Sequence, residues 1–299
     1  MTINSNCRLH LHHFSNMALF RKNKSNGKAE MSFVEHLEAL RWHIVRSGLV
    51  WLGAAVVIFI NIDWIFDHVI FAPAQNDFVT YSALCRFGQW LHIGDALCMP
   101  PINLQLQGNT ISGPFMSAIS IAMVGGMVVA FPYLFWEIWR FIKPALSEKE
   151  LKYSRGSIFW VSLCFFLGAA FGYFLLAPFT FNFLANFSLG TRSAYKYIPT
   201  LDDYIDTLNQ IILGCGLSFE LPILAYVLAK IGLISADFLR KYRKYAFVII
   251  LILAAVITPS PDWTSQIIVA VPLLLLYEIS VWIAARVDKD NVRKEKEWS

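Results

Sequence analysis

Charge is scarce in this chain. Asp, Glu, Lys and Arg make up only 15% of the 299 residues, whereas hydrophobic residues make up 57% and the mean hydropathy is +0.52. A soluble globular domain usually carries about 25% charged residues, so the composition excludes that class and predicts a polytopic membrane protein. The net charge of +4 is too small to indicate a nucleic-acid partner, and none is expected.

Signatures of catalysis and of cofactor binding are also missing. The sequence contains no GxSxG, HExxH or phosphate-binding loop, and no CxxC, zinc or haem spacing. We therefore expect neither an enzyme nor an ATP-driven pump, and we expect no metal and no cofactor. Cysteine is sparse, but Cys85 and Cys98 share one predicted outer loop and could form a disulfide if that side is oxidising.

The first 30 residues lack an apolar core, so they are not a secretory signal peptide. We interpret residues 1–30 as a polar, disordered leader, and whether this leader is translated stays open. Residues 31–286 are predicted to form one membrane domain, and residues 287–299 a charged cytoplasmic tail.

Apolar runs of membrane-spanning length dominate the rest of the chain. A hydrocarbon core about 30 Å thick requires about 20 apolar residues in a helix. The prediction is an all-α fold with six transmembrane helices and both termini on one side. The six predicted spans are Ile44–Ile62, Phe115–Glu137, Ser157–Phe179, Ile205–Ile231, Tyr245–Thr258 and Gln266–Ala285.

The basic residues indicate the orientation, because Lys and Arg near a span are retained on the cytoplasmic side. Of the 25 basic residues, only Arg86, Arg192 and Lys196 fall on the outer side when the N-terminus is placed inside. The sequence therefore predicts an N-in, C-in protein of the cell's inner (cytoplasmic) membrane.

The fifth and sixth spans are predicted to be a short pair. Tyr245–Thr258 offers about 20 Å of helix at 1.5 Å per residue, and two prolines and an Asp between Thr258 and Thr264 predict a tight outer turn. Such a pair would thin the bilayer locally. The alternative is that the pair packs against longer neighbours inside the protein.

Two cytoplasmic segments carry candidate binding residues. Ser32 and Glu35 form a capping box at the start of an interfacial helix that presents Glu35, Glu38 and Arg41 at the membrane surface. The alternative is that these are only solvated charges. In the second segment, FPYLFWEIWRFIKPALSEKE, Glu150 stands among basic residues, and we interpret this loop as a receptor for a positively charged peptide.

Glu220 is embedded in apolar sequence, where a carboxylate costs roughly 2.5–3.5 kcal/mol on insertion scales. It is therefore a functional candidate, and Pro222 beside it is expected to bend the helix. The alternative is a carboxylic acid that a neighbouring helix satisfies by hydrogen bonding. If Glu220 were a proton-coupled site, the chain would be a small-solute transporter, but its second half does not resemble its first.

Five segments together resemble the signature blocks of the TatC family, the multi-spanning receptor subunit of the twin-arginine translocase. They extend over nearly the whole chain from Ser32 to about Arg286. The resemblance implies a concave, glove-like fold of six helices, and a receptor that docks folded precursor proteins through their twin-arginine signal peptides. The blocks, in the family's order, are SFVEHLEALR at 32–41, FPYLFWEIWRFIKPALSEKE at 131–150, LSFELP at 217–222, TPSPDWTSQ at 258–266 and AVPLLLLYE at 270–278.

The resemblance also implies roles for individual residues and partners. Signal-peptide binding is implied for Glu150, Phe141 and Arg41, and an intramembrane polar site for partner contact at Glu220 and Gln266. The implied partners are single-span subunits of the TatA and TatB type, further copies of the chain in a receptor complex, and the lipid bilayer. The proton-motive force is implied as the energy source. Structural positions are implied at Pro73, Pro144, Pro222 and Asp262.

One position departs from the family pattern. The family has a carboxylate before the Leu-Arg that ends the first block, whereas this chain has Ala39. Glu35 lies one turn earlier on the same helical face, and Glu38 is adjacent but rotated by about 100°. We expect Glu35 or Glu38 to take part of the arginine-binding role, with Glu150 carrying more of it.

Overall fold

Helices make up nearly all of the described structure, so the predicted all-α fold is confirmed. The computed structural model describes residues 33–75, 77–90, 92, 98, 105–142, 156–186, 198–230, 232–258 and 263–296. Within these ranges there is no strand, and one isolated β-bridge joins Gln107 to Thr200. The helices are α1 Phe33–Ile60, α2 Ile62–Ile65, α3 Val79–Trp90, α4 Gly113–Ile142, α5 Ser157–Phe171, α6 Ala177–Asn186, α7 Leu201–Ser218, α8 Leu221–Lys230, α9 Ala236–Lys241, α10 Arg243–Ile257 and α11 Trp263–Lys296.

The chain divides into two compact units, residues 1–39 and 40–299. Only the first turns of α1 are described in the first unit, and every contact given below lies within the second. The predicted boundaries after residues 30 and 286 stay predictions.

Five helical segments in the described ranges are long and apolar enough to cross a membrane, and they coincide with five of the six predicted spans. The remaining predicted span corresponds to α10, which has 15 residues and is about 22 Å long. The number of six spans and their orientation stay predictions. The five segments are Leu37–Ile60, Gly113–Ile142, Ile158–Asn186, Leu201–Lys230 and Gln266–Asp290.

The last helix, α11, is long. It runs unbroken for 34 residues, or about 51 Å, so the expectation of a short fifth and sixth pair is wrong for the sixth helix. Apolar sequence ends near Ala285, but the helix has further contacts beyond that point. Val287 is buried in one cluster with Ala236, and the Asp288 carboxylate accepts a hydrogen bond from the Ala236 backbone N–H at 2.7 Å. These contacts explain why the helix continues to Lys296.

The hydrophobic core lies among α6, α7, α10 and α11. The first span contributes little to it, since Ala55 is the only buried residue among the side chains described in Leu37–Ile60. Most of the residues of this hydrophobic core therefore belong to the second half of the chain. Representative core residues are Phe181, Ile205, Ile211, Ile250 and Leu273.

Glycines allow two pairs of helices to approach closely. A Cβ atom at Gly168 would lie 2.5 Å from the carbonyl oxygen of Cys215, and a Cβ atom at Gly126 would lie 2.8 Å from the backbone nitrogen of Ala55. Helix α5 therefore packs directly on α7, and α4 packs directly on α1. In a bilayer, where lipid is as apolar as a neighbouring helix, such close packing is a main source of helix association.

The loop between α1 and α4, which is predicted to lie on the outer side, contains a disulfide. Cys85 in α3 is bonded to Cys98, with Cα atoms 4.3 Å apart, which confirms the pairing suggested by the sequence. Cys164 and Cys215 are free thiols. Because disulfides persist in oxidising compartments, the bond agrees with the placement of this loop on the outer side.

We predict that Gly168→Ala lowers the thermal unfolding midpoint of the purified protein in detergent, because the added methyl group meets backbone that has little room to move. The matched control is Gly53→Ala, since Gly53 also lies within a helix but a Cβ atom there meets nothing within 4 Å. The control should keep or raise the midpoint, because Ala is favoured over Gly in helices by about 1 kcal/mol. Equal midpoints for the two variants would contradict this packing.

Candidate functional site

A buried carboxylate lies close to the end of α4. Glu137 has a side chain only 1% exposed. Its Oε1 accepts a hydrogen bond from the Tyr133 hydroxyl at 2.9 Å, and its Oε2 pairs with Nδ1 of His43 in α1. The Arg140 guanidinium lies 3.7 Å from Oε1. Both carboxylate oxygens therefore have the partners that a buried charge requires.

The partners of Glu137 also contact aromatic rings. His43 packs edge-on against Phe141, with ring centroids 6.1 Å apart, and the Arg140 guanidinium lies 5.2 Å from the centroid of Trp136. These contacts join α1 to the end of α4 and hold Phe141, one of the predicted binding residues, against α1. The Glu137 cluster, as it is called below, consists of His43, Tyr133, Glu137, Arg140 and Phe141.

Glu137 and His43 are absent from the residues that the sequence singled out. A local signal was present, because Tyr133 and Arg140 stand four residues before and three residues after Glu137, and so share its helix face. The pairing with His43 joins positions 94 residues apart. A partner at that distance has no signature in the local sequence.

The other predicted binding residues are described only in part. Arg41 is exposed, and its guanidinium lies 5.6 Å from the centroid of the Trp42 ring. Glu38 is exposed in the first turns of α1. Glu35 belongs to α1, but its side chain is outside the described residues. Three further predicted positions lie outside them altogether, namely Pro144, Glu150 and Asp262.

Glu220 lies at the break between α7 and α8. It is 8% exposed, and its Oε1 has no hydrogen-bond partner in the part of the chain that the structure describes. Pro222 is the second residue of α8 and has no backbone N–H to donate, so α7 ends at Ser218 and the helix resumes after a turn. A buried acceptor without a partner is costly, which distinguishes Glu220 from the satisfied Glu137.

Gln266 joins two helices. Its Nε2 donates to the carbonyl oxygen of Leu251 at 3.1 Å, so it bonds α11 to α10. Gln210 bonds α7 to the same helix by donating to the carbonyl oxygen of Val256. No contact among the described residues joins Gln266 to Glu220, so the two positions predicted as one polar site are not in direct contact.

Pro73 is buried in the loop between α1 and α4, in the short 3-10 helix Ala72–Ala74. Its carbonyl oxygen accepts a hydrogen bond from the Tyr81 hydroxyl at 2.9 Å. Burial raises the pKa of the Tyr81 phenol, so this group stays a neutral donor. The contact attaches the turn at Pro73 to α3.

Known proteins resemble this chain over most of its length. A family model for the Sec-independent protein translocase protein TatC matches residues 35–272. The chain belongs to the TatC family. A TatC protein of Blattabacterium sp. subsp. Periplaneta americana is 43% identical to it over 265 residues, which cover 88% of this chain and 98% of the relative. A TatC protein of Helicobacter pylori (strain J99) is 42% identical over 179 residues, which cover 59% of this chain and 70% of the relative.

Solved TatC structures share the fold. A crystal structure of the twin-arginine translocase receptor TatC is 29% identical, with a TM-score of 0.63 over 85% of this chain and 100% of that one. A second, in DDM, gives a TM-score of 0.65 at 29% identity over 84% and 99% of the two chains. The family resemblance inferred from the five sequence blocks is confirmed.

Membership of the TatC family has direct consequences. The protein is a multi-pass protein of the inner membrane and a component of Sec-independent protein translocation, and it is not an enzyme. These relatives give no support to the small-solute transporter that the sequence left open.

We predict that His43 and Glu137 of this TatC protein are energetically coupled. His43→Ala leaves the Glu137 carboxylate buried without its nearest partner, whereas His43→Ala combined with Glu137→Ala removes both groups. A buried acceptor that loses its hydrogen-bond partner costs roughly 1–3 kcal/mol, and Arg140 remains close to the carboxylate in the single variant. The single His43 variant should therefore unfold at a lower temperature in detergent than the double variant.

The control for this pair is Tyr133→Phe. It removes the other hydrogen bond of the same carboxylate but leaves the pair with His43 intact. We expect it to cost only about 1 kcal/mol. If the losses of stability caused by His43→Ala alone and by Glu137→Ala alone simply add in the double variant, then His43 and Glu137 act independently.

Proposed function

We propose that this chain is the receptor and core subunit of a twin-arginine translocase. It binds the twin-arginine signal peptides of folded precursor proteins at its cytoplasmic face, and it organises partner subunits for export driven by the proton-motive force. Support comes from the solved relatives, which are described as twin-arginine translocase receptors. Further support comes from the Glu137 cluster.

Recognition of two arginines requires carboxylates at the binding surface. A guanidinium group presents a fork of donors that matches a carboxylate in a charge-assisted, bidentate pair, and a lysine lacks this fork. Glu150, in the segment that follows α4, is the principal proposed acceptor. Glu35 or Glu38 supplies a second carboxylate in place of the one missing at Ala39. Exposed pairs contribute up to about 1 kcal/mol each, so binding also needs apolar contact.

Phe141 is the proposed source of part of that apolar contact. The observation that carries the proposal is the packing of Phe141 against His43, because it joins the end of α4 to α1, and Glu150 follows α4 in the sequence. Glu137 binds His43 and so holds this contact in place. Arg41, exposed on α1, is proposed to belong to the same site.

We predict that the purified protein binds a twin-arginine signal peptide more tightly than its Lys-Lys variant, and that Glu150→Ala removes most of this preference. Loss of an exposed pair of about 1 kcal/mol lowers the affinity for the twin-arginine peptide about fivefold. Fluorescence anisotropy of labelled peptides measures both affinities. The matched control is Glu278→Ala, because Glu278 is a half-exposed carboxylate in α11 that pairs with Arg243 at 2.7 Å.

Glu35→Ala and Glu38→Ala test the second carboxylate in the same assay. One of the two should weaken twin-arginine binding by a similar factor. Unchanged affinity in both variants would show that neither residue replaces the carboxylate missing at Ala39. Equal binding of the two peptides to the unsubstituted protein would contradict the receptor function itself.

Contact with single-span subunits of the TatA and TatB type is proposed to occur within the membrane. Glu220 is the principal contact, because its buried Oε1 is an acceptor without a partner in the described chain, and a polar side chain of a neighbouring helix would satisfy it. Gln266 is the second proposed position, where the amide also bonds α10. The chain is further proposed to assemble with copies of itself in the receptor complex.

We predict that Glu220→Ala lowers photocrosslinking between this chain and a single-span partner, and that it leaves signal-peptide affinity unchanged. The control is Asn209→Ala, because the Asn209 amide already donates to Ser120 Oγ at 3.0 Å within the chain and needs no outside partner. Crosslinking should persist in this control. Undiminished crosslinking of the Glu220 variant would exclude this residue from the contact.

A further inference from the structure

Helix α3 in the outer loop has three different faces. At about 100° per residue, one side carries Thr80, Tyr81 and Gly88, which are buried against the rest of the protein. A second face is exposed and polar, and a third is exposed and apolar. The polar face consists of Ser82, Arg86 and Gln89, and the apolar face, called here the α3 stripe, consists of Val79, Ala83, Phe87 and Trp90.

The α3 stripe is exposed although it is apolar. Val79 is 67% exposed, Phe87 is 52% exposed and Trp90 is 72% exposed. The rings of Phe87 and Trp90 stack on each other, with centroids 6.0 Å apart. A surface helix in water carries polar residues on its outer side. An exposed apolar face beside an exposed polar face therefore indicates that the polar face meets water and the apolar face meets something less polar.

Contacts with the third span, Ile158–Asn186, fix the depth of α3. The Thr80 hydroxyl donates to the carbonyl oxygen of Phe174, and Phe78, just before α3, stacks on Phe174 with ring centroids 5.9 Å apart. The neighbouring Tyr173 hydroxyl donates to the carbonyl oxygen of Val69 at 2.7 Å. Helix α3 is therefore attached where the segment after α1 meets the third span.

The place where α3 is attached to the third span lies at the edge of the membrane. The Tyr204 hydroxyl in α7 donates to the carbonyl oxygen of Ile70 at 2.6 Å, which follows Val69 directly. Carboxylates are strongly disfavoured in hydrocarbon, so the boundary passes close to Tyr204. The carboxylates beside Tyr204 are those of Asp202, Asp203 and Asp206.

We propose that α3 is an interfacial helix whose stripe is inserted in the outer leaflet of the bilayer. Phe174, to which α3 is attached, is itself 49% exposed, so the stripe continues the lipid-facing surface of the third span. Large aromatic side chains are typical of the apolar face of helices that lie in a membrane surface. The occupant of the stripe is lipid, while the polar face of α3 remains in water.

The disulfide is a second indication that α3 lies on the outer side of the membrane. It bonds Cys85 in α3 to Cys98, which follows the helix, and disulfides persist in an oxidising compartment. The helix is thus held by Thr80, Tyr81 and Cys85. None of these three residues belongs to the stripe, so the attachment of α3 leaves the stripe available to lipid.

Photolabelling from lipid tests this proposal. The full-length protein is reconstituted in vesicles of phosphatidylethanolamine and phosphatidylglycerol that contain a phospholipid with a diazirine near the top of its acyl chain. After illumination, mass spectrometry of proteolytic peptides locates the adducts. We expect adducts on α3, chiefly at Phe87 and Trp90, with a yield similar to that on Phe166 and Phe174, which are exposed on the third span.

Two double variants separate lipid contact from folding. Phe87→Asp with Trp90→Asp should lower the yield on α3 by about fivefold or more, because ionised carboxylates withdraw from hydrocarbon. Ser82→Asp with Gln89→Asp adds the same charge to the polar face and should keep the yield. Unchanged adducts on the third span, together with an intact Cys85 disulfide, show that each variant is folded.

Three outcomes would overturn the proposal. One is an unsubstituted protein in which the third span is labelled and α3 is not. Another is an equal yield on α3 in the two double variants. The third is crosslinking of α3 to a second copy of the chain, or to another protein, in place of lipid.

Discussion

Hydrocarbon solvates apolar side chains but not polar ones, and this constraint decides how the helices of this protein are arranged. Among the described side chains of the first span only Ala55 is buried, and the others are exposed or half-buried. Polar and steric contacts join it to α4. Trp51 donates to a backbone carbonyl of α4 at 2.8 Å, Gly126 admits Ala55, and His43 pairs with Glu137. Such contacts hold the first span and α4 together without removing apolar surface from water.

The same constraint separates polar residues that hold the fold from those that remain available for function. Glu137 and Gln266 have partners inside the protein, so they connect helices. Glu220 keeps one oxygen without a partner in the described chain, which makes it suited to contact with another subunit. The carboxylates proposed to bind arginine belong to segments that are predicted to be cytoplasmic, where water lowers the cost of an ionised group. Satisfied polar groups such as Glu137 thus hold the helices that adjoin the proposed binding segments.

Sequence patterns predicted the features that depend on hydropathy and missed those that depend on long-range packing. Five predicted spans coincide with helices in the described ranges, and the disulfide between Cys85 and Cys98, which their common predicted loop made possible, is present. The contact of His43 with Glu137 joins residues 94 positions apart, and no local pattern specifies such a partner. The predicted span ends at Ala285, whereas α11 continues to Lys296. A fall in hydropathy marks the membrane edge, but a helix continues as far as contacts such as that of Asp288 support it.

The proposed recognition of paired arginines by the segments at the start of α1 and the end of α4, which are predicted to be cytoplasmic, is tested most directly by crosslinking. A photoreactive amino acid is placed next to the arginine pair of a signal peptide, which is then illuminated with the full-length chain in membranes. Adducts are predicted within residues 35–46 and 133–150, and they should disappear when the pair is replaced by Lys-Lys. Adducts of equal yield with the Lys-Lys peptide, or adducts confined to the intramembrane surface around Glu220, would contradict the receptor function.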